Sequence, residues 1–167
     1  MPAQAFDGAG SSSYPGKSAS SKIELKKSYQ TRVVADVKDF KQLGAAIDNG
    51  ETEGKAWVNF FIEYQRREPD SVGRSYAANV DLVGNKDLSG CGILLAASYA
   101  KAGKPADNLP SMKKYKSLAK LFDPIKAAGA KGDAAKAKAA WGKASDALQE
   151  YLEEVELPSS LSDPIYD

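Results

Sequence analysis

The chain has 167 residues, with 23 basic and 22 acidic side chains, one cysteine and no histidine. A chain of this length forms one compact domain that buries roughly two thirds of its unfolded surface, and the lone Cys91 excludes an internal disulfide. The missing histidine excludes serine–histidine–aspartate triads, cysteine–histidine dyads and histidine-bearing zinc or iron sites, so we expect no catalysis, cofactor or metal site.

Residues 1–20 are mainly glycine, serine, alanine and proline, with Phe6 and Tyr14 among them. Such a segment buries too little apolar surface to offset its ordering entropy, so we expect a flexible arm. Ala3 and Ala5 are the small residues that a signal-type peptidase accepts at positions −3 and −1. The basic and apolar regions that should precede such a site are missing, so a targeting remnant and an ordinary alanine-rich tail both stay open.

The first predicted helix begins at Ser20 or Ser21 and ends at Asn49-Gly50, a span of roughly seven turns. Ser21 and Glu24 have the spacing of a capping box. Apolar positions and one glycine recur at spacings of three and four: Val33, Val37, Phe40, Gly44 and Ile47. Charged residues occupy the other faces, so the pattern predicts an amphipathic helix.

A second helix is predicted after Thr52, which is placed to cap it. Pro69 interrupts this helix, because proline lacks the amide proton and clashes with the preceding turn. The helix carries an aromatic stripe formed by Trp57, Phe60, Phe61 and Tyr64. At helical spacing such a stripe is more often core than a ligand cleft.

Two further segments are predicted as helical. Asp70 restarts a helix that ends at Gly84-Asn85, and the next segment spans residues 88–102. The glycines on either side of Cys91 allow close approach of a neighbouring backbone. This short sequence resembles a reactive-cysteine turn, but we favour a small buried residue at a helix crossing.

The last third of the chain predicts two helices. Residues 105–110 form a loop, Pro124 kinks or restarts the helix that follows, and residues 129–132 form a turn. Asp133 caps the last helix, which Pro158 closes before an acidic tail. In the last helix, residues recur at spacings of four and three: Trp141, Ser145, Leu148, Leu152 and Val155.

No segment alternates as a strand does, so the predicted fold is all-α. Short connections favour an up-and-down antiparallel four-helix-type bundle with extra short helices and flexible termini. We divide the chain into a flexible arm (1–20), a bundle domain (21–157) and an acidic tail (158–167). No phosphate-binding loop, dinucleotide fingerprint or calcium loop is present in the sequence. A serine–lysine dyad or a carboxylate-only site stays open, although no spacing suggests one.

The charges are sorted along the chain. Residues 101–143 hold eleven lysines against three aspartates, a net charge of +8. Residues 144–167 hold seven acidic residues and no base, a net charge of −7, while residues 1–100 are balanced. Such a dipolar distribution favours docking by electrostatics. Part of the field cancels internally if the acidic last helix packs beside the lysine-rich one.

The candidate docking lysines are Lys113, Lys114, Lys116 and Lys120. The cluster lacks the arginine preferred for bidentate phosphate recognition and lacks interleaved aromatic residues free to stack on bases. We therefore favour an acidic protein surface as the partner, and no nucleic acid. Plain solvated helix faces, nucleic acid and an anionic membrane are the alternatives.

Three segments carry a resemblance to a known family. They are the junction Ala3-Gln-Ala-Phe6, the first helix at residues 22–29 and the last helix at residues 140–152. Together with the all-helical, histidine-free composition, the chain resembles the PsbQ-like extrinsic subunits of photosystem II, especially those of red-lineage algae such as diatoms. The resemblance in general architecture covers about residues 20–157.

The resemblance implies a non-catalytic subunit of the chloroplast thylakoid lumen, peripheral to the membrane. Such subunits cap the lumenal face of photosystem II, contact its core and other extrinsic subunits, and help retain calcium and chloride. We expect the lysine faces to steer docking, and the arm around Phe6 and Tyr14 and the tail through Tyr166 to make specific contacts.

Two other functions stay open. A tetratricopeptide-like adaptor would suit the turn at residues 131–133 followed by Ala135, Trp141 and Ala144. A small-ligand carrier would use the aromatic stripe that begins at Trp57. A groove between helices would favour the adaptor, and a large apolar pocket beside Trp57 would favour the carrier.

Overall fold

The computed structural model describes residues 19–61, 86–100 and 106–167. Within these ranges six α-helices follow in chain order: α1 (Ala19–Asp48), α2 (Lys55–Phe60), α3 (Lys86–Ala97), α4 (Pro110–Ala119), α5 (Phe122–Ala130) and α6 (Ala134–Glu154). Two 3-10 helices span Ala106–Asn108 and Pro164–Tyr166. The described ranges contain no strand, and the all-α prediction is confirmed. The predicted arm, Tyr64 and the helix restarting at Asp70 lie outside the described residues.

Helix α1 ends where the sequence predicts. Gly50 adopts a φ of 81°, a left-handed conformation that glycine takes without a steric penalty. The Gly50 amide donates to the Ile47 carbonyl at 2.9 Å, and the Glu51 amide donates to the Ala46 carbonyl at 2.9 Å. These bonds satisfy the last carbonyls of the helix.

Helix α2 begins later than the sequence predicts. Its N-cap is Gly54, with a φ of 109°, and not Thr52. The indole Nε1 of Trp57 donates to the Glu51 carbonyl at 3.1 Å and folds the connection back over the start of the helix. A cap prediction from residue type alone does not include this side-chain contact.

The lysine-rich helix is interrupted between α4 and α5, at Lys120 and Leu121. Pro124 lies in the first turn of α5, where a missing amide proton leaves no hydrogen bond unmade. The predicted restart at this proline is therefore confirmed. Both helices nevertheless pack along α6.

Helix α6 has the predicted start and an earlier end. The Asp133 carboxylate accepts a hydrogen bond from the Lys136 amide at 2.9 Å, which confirms the N-cap. The helix ends at Glu154, before Pro158, because Glu156 adopts a φ of 59° and turns the chain. The Leu157 amide then donates to the Leu152 carbonyl at 3.0 Å.

Helices distant in sequence share one core. The Trp141 indole donates to the Phe40 carbonyl at 3.1 Å, and the two rings stack at 5.0 Å. Gln30 donates to the carbonyl of Val155, the C-cap of α6, at 3.1 Å. Because Phe40 lies further along α1 and Trp141 lies earlier in α6, the two contacts together show that these helices run antiparallel. The aromatic rings Phe40, Phe60 and Phe122 meet in the middle of this core. Trp57 and Phe60 are buried and Phe61 is partly buried against the core, so the described part of the aromatic stripe belongs to the core or its edge.

Gly92 of α3 lies against a tyrosine of α4 and a tyrosine of α6. A Cβ at Gly92 would lie 3.0 Å from the Tyr115 ring, and the Gly92 carbonyl accepts the Tyr151 hydroxyl at 2.8 Å. Burial is the main cause that raises the pKa of Tyr151. Cys91 is buried, as expected for a helix crossing, although the close neighbours of Gly92 are aromatic side chains and not backbone.

Candidate docking surface

Three of the four candidate docking lysines belong to α4, and Lys120 is its C-cap. The buried face of this helix consists of Ser111, Met112, Tyr115 and Leu118. Ser111 also donates a hydrogen bond to the Ala96 carbonyl at 2.7 Å, which fixes α4 against α3. The rotational position of the lysines is therefore set by the core.

Two of these lysines are paired within the chain. Lys114 contacts Glu150 of α6 at 2.5 Å, and Lys116 contacts Asp107 at 2.7 Å. The hydrogen bond that Lys114 donates to the Glu150 carboxylate is the main cause that raises the pKa of Lys114. The acidic end of α6 therefore cancels part of the lysine field, as the charge sorting predicts.

Lys113 and Lys120 are exposed, and the described part of the chain provides no salt-bridge partner for either. Lys143 on α6 is likewise exposed without an acidic partner in those ranges. These three amines are the charges that α4 and α6 leave available to an outside partner.

The structure places Tyr166 in the core and not on a docking surface. Its ring is buried, and its hydroxyl donates to the Pro158 carbonyl at 2.7 Å. Burial raises the pKa of Tyr166 to about 12. The expected contact of this side chain with a partner is thus corrected, because the ring packs inside its own chain.

The acidic tail also binds α1, in contrast to the expected flexible terminus. Lys41 contacts the Asp167 carboxylate at 2.7 Å and the Tyr166 carbonyl at 3.2 Å. Lys38 donates to the Asp167 backbone oxygen at 2.6 Å. The hydrogen bond from Lys41 is the main cause that lowers the pKa of Asp167. Phe6 and Tyr14 lie outside the described residues.

An open groove lies between α6 and the junction of α4 with α5. It has a volume of about 250 Å³ and is lined by Leu121, Pro124, Lys136, Ala139, Ala140 and Lys143. The sequence did not lead us to predict a role for Lys136 and Lys143 as a pair. Lys136 and Lys143 are seven residues apart, and Ala139 and Ala140 between them fall on the same helical stripe, which is a pattern that the sequence contains.

Trp57 belongs to the aromatic stripe, and the neighbours of its ring leave no room for a ligand against one face. A Cβ at Gly129 would lie 2.4 Å from the Trp57 ring, and Phe61 stacks on that indole at 5.8 Å. Within the described ranges, no three acidic or cysteine side chains gather as a metal site would require. No helix in those ranges combines the length and hydropathy needed to cross a membrane.

Comparison with known proteins gives no relative. No family model matches the chain, and neither a curated protein nor a solved structure is significantly similar to it.

Proposed function

We propose that this protein is a non-catalytic extrinsic subunit that docks on the lumenal face of photosystem II. In this role it stabilises the oxygen-evolving centre by helping to retain calcium and chloride. The protein would reside in the chloroplast thylakoid lumen, peripheral to the membrane through contacts with the photosystem core and other extrinsic subunits. The identity of this partner rests on the sequence resemblance of residues 3–6, 22–29 and 140–152.

The observation that carries the docking role is the exposed lysine surface formed by Lys113, Lys120 and Lys143. These amines extend from helices fixed by one core, and no acidic side chain of the described residues pairs with them. A rigid surface with available positive charge attracts an acidic protein surface over a range of about 10 Å at moderate ionic strength.

Basic residues come before acidic residues along α6, an order that suits docking better than it suits the stability of the helix. A helix favours acidic residues at its start and basic residues at its end, because its backbone dipoles align. Helix α6 has no acidic residue in its first turn and no basic residue in its last turn, where Glu153 and Glu154 lie. The Asp133 cap agrees with the helix dipole but the rest of this order opposes it, so we attribute the order to a binding requirement.

We further infer an up-and-down antiparallel four-helix bundle. Its four members would be α1, α3, α4 together with α5, and α6. Each packs against two others in a closed order, and hydrogen bonds such as Ser111 to Ala96 and Gln30 to Val155 are consistent with alternating directions. A closed bundle presents one rigid exterior, as a docking subunit requires.

The two alternative functions have less support. A repeat adaptor packs each repeat mainly on its neighbours, whereas Phe40 and Trp141 stack across 101 residues of sequence. A carrier needs an apolar cavity, and the Trp57 ring is packed by Gly129 and Phe61. Neither alternative accounts for the lysine surface.

Reconstitution of oxygen evolution tests the proposal. Photosystem II membranes are washed with salt to remove extrinsic subunits, and oxygen evolution at low calcium and chloride is measured before and after adding this protein. We expect the protein to bind and to restore part of the activity. Binding should be reversed by high salt, because screening weakens contacts between exposed charges. Undiminished oxygen evolution after removal of this subunit would overturn the proposal.

A further inference from the structure

The groove between α6 and the α4–α5 junction combines two kinds of surface. Its floor is apolar and consists of Leu121, Pro124, Ala139 and Ala140. Lys136 and Lys143 extend beside these residues, two turns apart on α6. Short alanine side chains leave the depression open, so the groove can accept an apolar group between two ammonium groups.

The size of the groove indicates what it holds. Its volume of about 250 Å³ lies below the range of roughly 300–1,000 Å³ that is typical of small-molecule and cofactor sites. Because the groove is open to solvent on one side, it suits an inserted side chain better than a fully enclosed ligand. The expected occupant is one large apolar side chain carried by a longer chain.

The charges around the groove indicate what flanks that side chain. Lys143 and the neighbouring Lys120 have no salt-bridge partner among the described residues. Lys136 lies 3.5 Å from Asp133, but its own side chain remains 78% exposed, so this pair neutralises it only in part. Further along α6, Glu150 already forms a salt bridge with Lys114. Two exposed ammonium groups, those of Lys136 and Lys143, thus border the groove.

We propose that this groove binds an acidic segment of a partner protein that inserts one apolar side chain between Lys136 and Lys143. Carboxylates on either side of that side chain would contact the two ammonium groups. The inference rests on the proposed docking function and identifies the part of the surface that recognises the partner. Lys113 then contributes attraction at a distance, and the groove supplies the specific contact.

Peptide binding tests the recognition directly. The full chain is titrated into a fluorescein-labelled peptide, Asp-Glu-Asp-Leu-Asp-Glu, and fluorescence anisotropy is measured at low ionic strength. Two control peptides replace leucine by serine or replace every acid by its amide. We expect each control to bind roughly tenfold more weakly, because one loses apolar burial and the other loses the charge contacts.

Two variants are compared. The double variant carries Lys136→Glu and Lys143→Glu, and the control variant carries Lys27→Glu alone. Lys27 is also exposed and unpaired in the described ranges, but it lies on α1. An acidic residue at position 136 enters the first turn of α6, where the helix dipole favours it. Loss of binding therefore does not reflect loss of the helix, and far-ultraviolet circular dichroism checks this point.

We expect the double variant to bind the acidic leucine peptide at least roughly tenfold more weakly and the Lys27 variant to bind it normally. Equal binding by both variants, no binding by the unmodified protein, or equal affinity for the serine peptide would overturn the proposal. Binding to vesicles of equal parts phosphatidylcholine and phosphatidylglycerol, without binding to the peptide, would assign the groove to membranes and also overturn it.

The two proposals fail separately. Normal peptide recognition by a protein that does not restore oxygen evolution would contradict the photosystem role and leave the groove intact. Restored oxygen evolution with an equally active double variant would contradict the groove alone.

Discussion

Gly44 allows the Trp141 indole to lie directly on the backbone of α1. A Cβ at this position would lie 2.4 Å from Trp141 Cζ2, closer than side-chain atoms approach one another. The same indole stacks on Phe40 and donates to the Phe40 carbonyl, so its position is fixed from two directions. The contact sets the spacing between α1 and α6.

We predict opposite effects of alanine at two helical glycines. Gly44→Ala should lower the free energy of unfolding by about 1–3 kcal/mol, because the fixed Trp141 ring cannot move away without strain. Gly142→Ala should raise it by up to about 1 kcal/mol, since nothing lies within 4 Å of the added Cβ and alanine favours the helix. Urea unfolding measures both. Shifts in the same direction would contradict the packing described at Gly44.

At the level of elements, a polar cluster joins α1 to the segments that follow α3 and α6. Lys26 of α1 lies 3.9 Å from the centre of the Tyr99 ring and 2.6 Å from the Glu156 carboxylate. Tyr99 follows α3, and its hydroxyl also donates to Glu156 at 3.1 Å. The hydrogen bond donated by Lys26 is the main cause that lowers the pKa of Glu156. The hydrogen bond donated by Tyr99 lowers this pKa further.

This cluster predicts a pH dependence. A lowered pKa in the folded state means that Glu156 contributes stability above its unfolded pKa of about 4.3 and loses it as the pH falls through the folded value. Glu156→Gln should lower the free energy of unfolding at pH 7 by less than about 1 kcal/mol, since the carboxylate is mostly exposed. The difference between variant and unmodified protein should shrink near pH 3. A difference independent of pH would contradict the ionic contact.

Tyr166 predicts how firmly the tail is attached to α1. Tyr166→Phe should lower the free energy of unfolding by about 1 kcal/mol, through loss of the hydroxyl bond to Pro158. Tyr166→Ala should lower it by about 3 kcal/mol, through loss of the buried ring. The neighbouring Ile165 is 42% exposed, so Ile165→Ala serves as a control and should change stability by less than about 0.5 kcal/mol. Thermal unfolding compares the three variants, and equal effects of both alanine variants would contradict the burial of Tyr166.

Several elements were predictable because their signals are local. The Asn49-Gly50 end of α1 and the Asp133 cap of α6 depend on residues within one turn. Tyr166 was placed wrongly because a single aromatic residue in a polar tail has no periodicity. The tail that carries it is held by lysines of α1 that lie 125 or more residues away in sequence.

The docking surface was predictable only in part for the same reason. The density of lysines is visible in the sequence, but which amines are cancelled depends on the tertiary pairing of Lys114 with Glu150. The groove depends on α6 lying beside Leu121 and Pro124. A helical pattern specifies the faces of a helix and does not specify its neighbours.

At the level of the whole molecule, the available charge decides which variants weaken docking. Lys113→Glu with Lys120→Glu should weaken binding to salt-washed photosystem II membranes by roughly tenfold, since both amines lack a partner in the described ranges. Lys114→Glu with Lys116→Glu makes the same change in net charge at amines already paired inside the chain. We expect a smaller loss for this second pair. Sedimentation at increasing sodium chloride measures both, and identical losses would show that only total charge matters.

The burial of Cys91 has a practical consequence. It is the only cysteine in the chain, and its side chain is 2% exposed, so a maleimide reagent has no ready target on the native protein. A cysteine introduced at Lys113, Lys143 or Lys27 would therefore carry a probe or photo-crosslinker alone, without replacing the native thiol. Each position would then identify, by mass spectrometry, the polypeptide that it faces in an assembled complex.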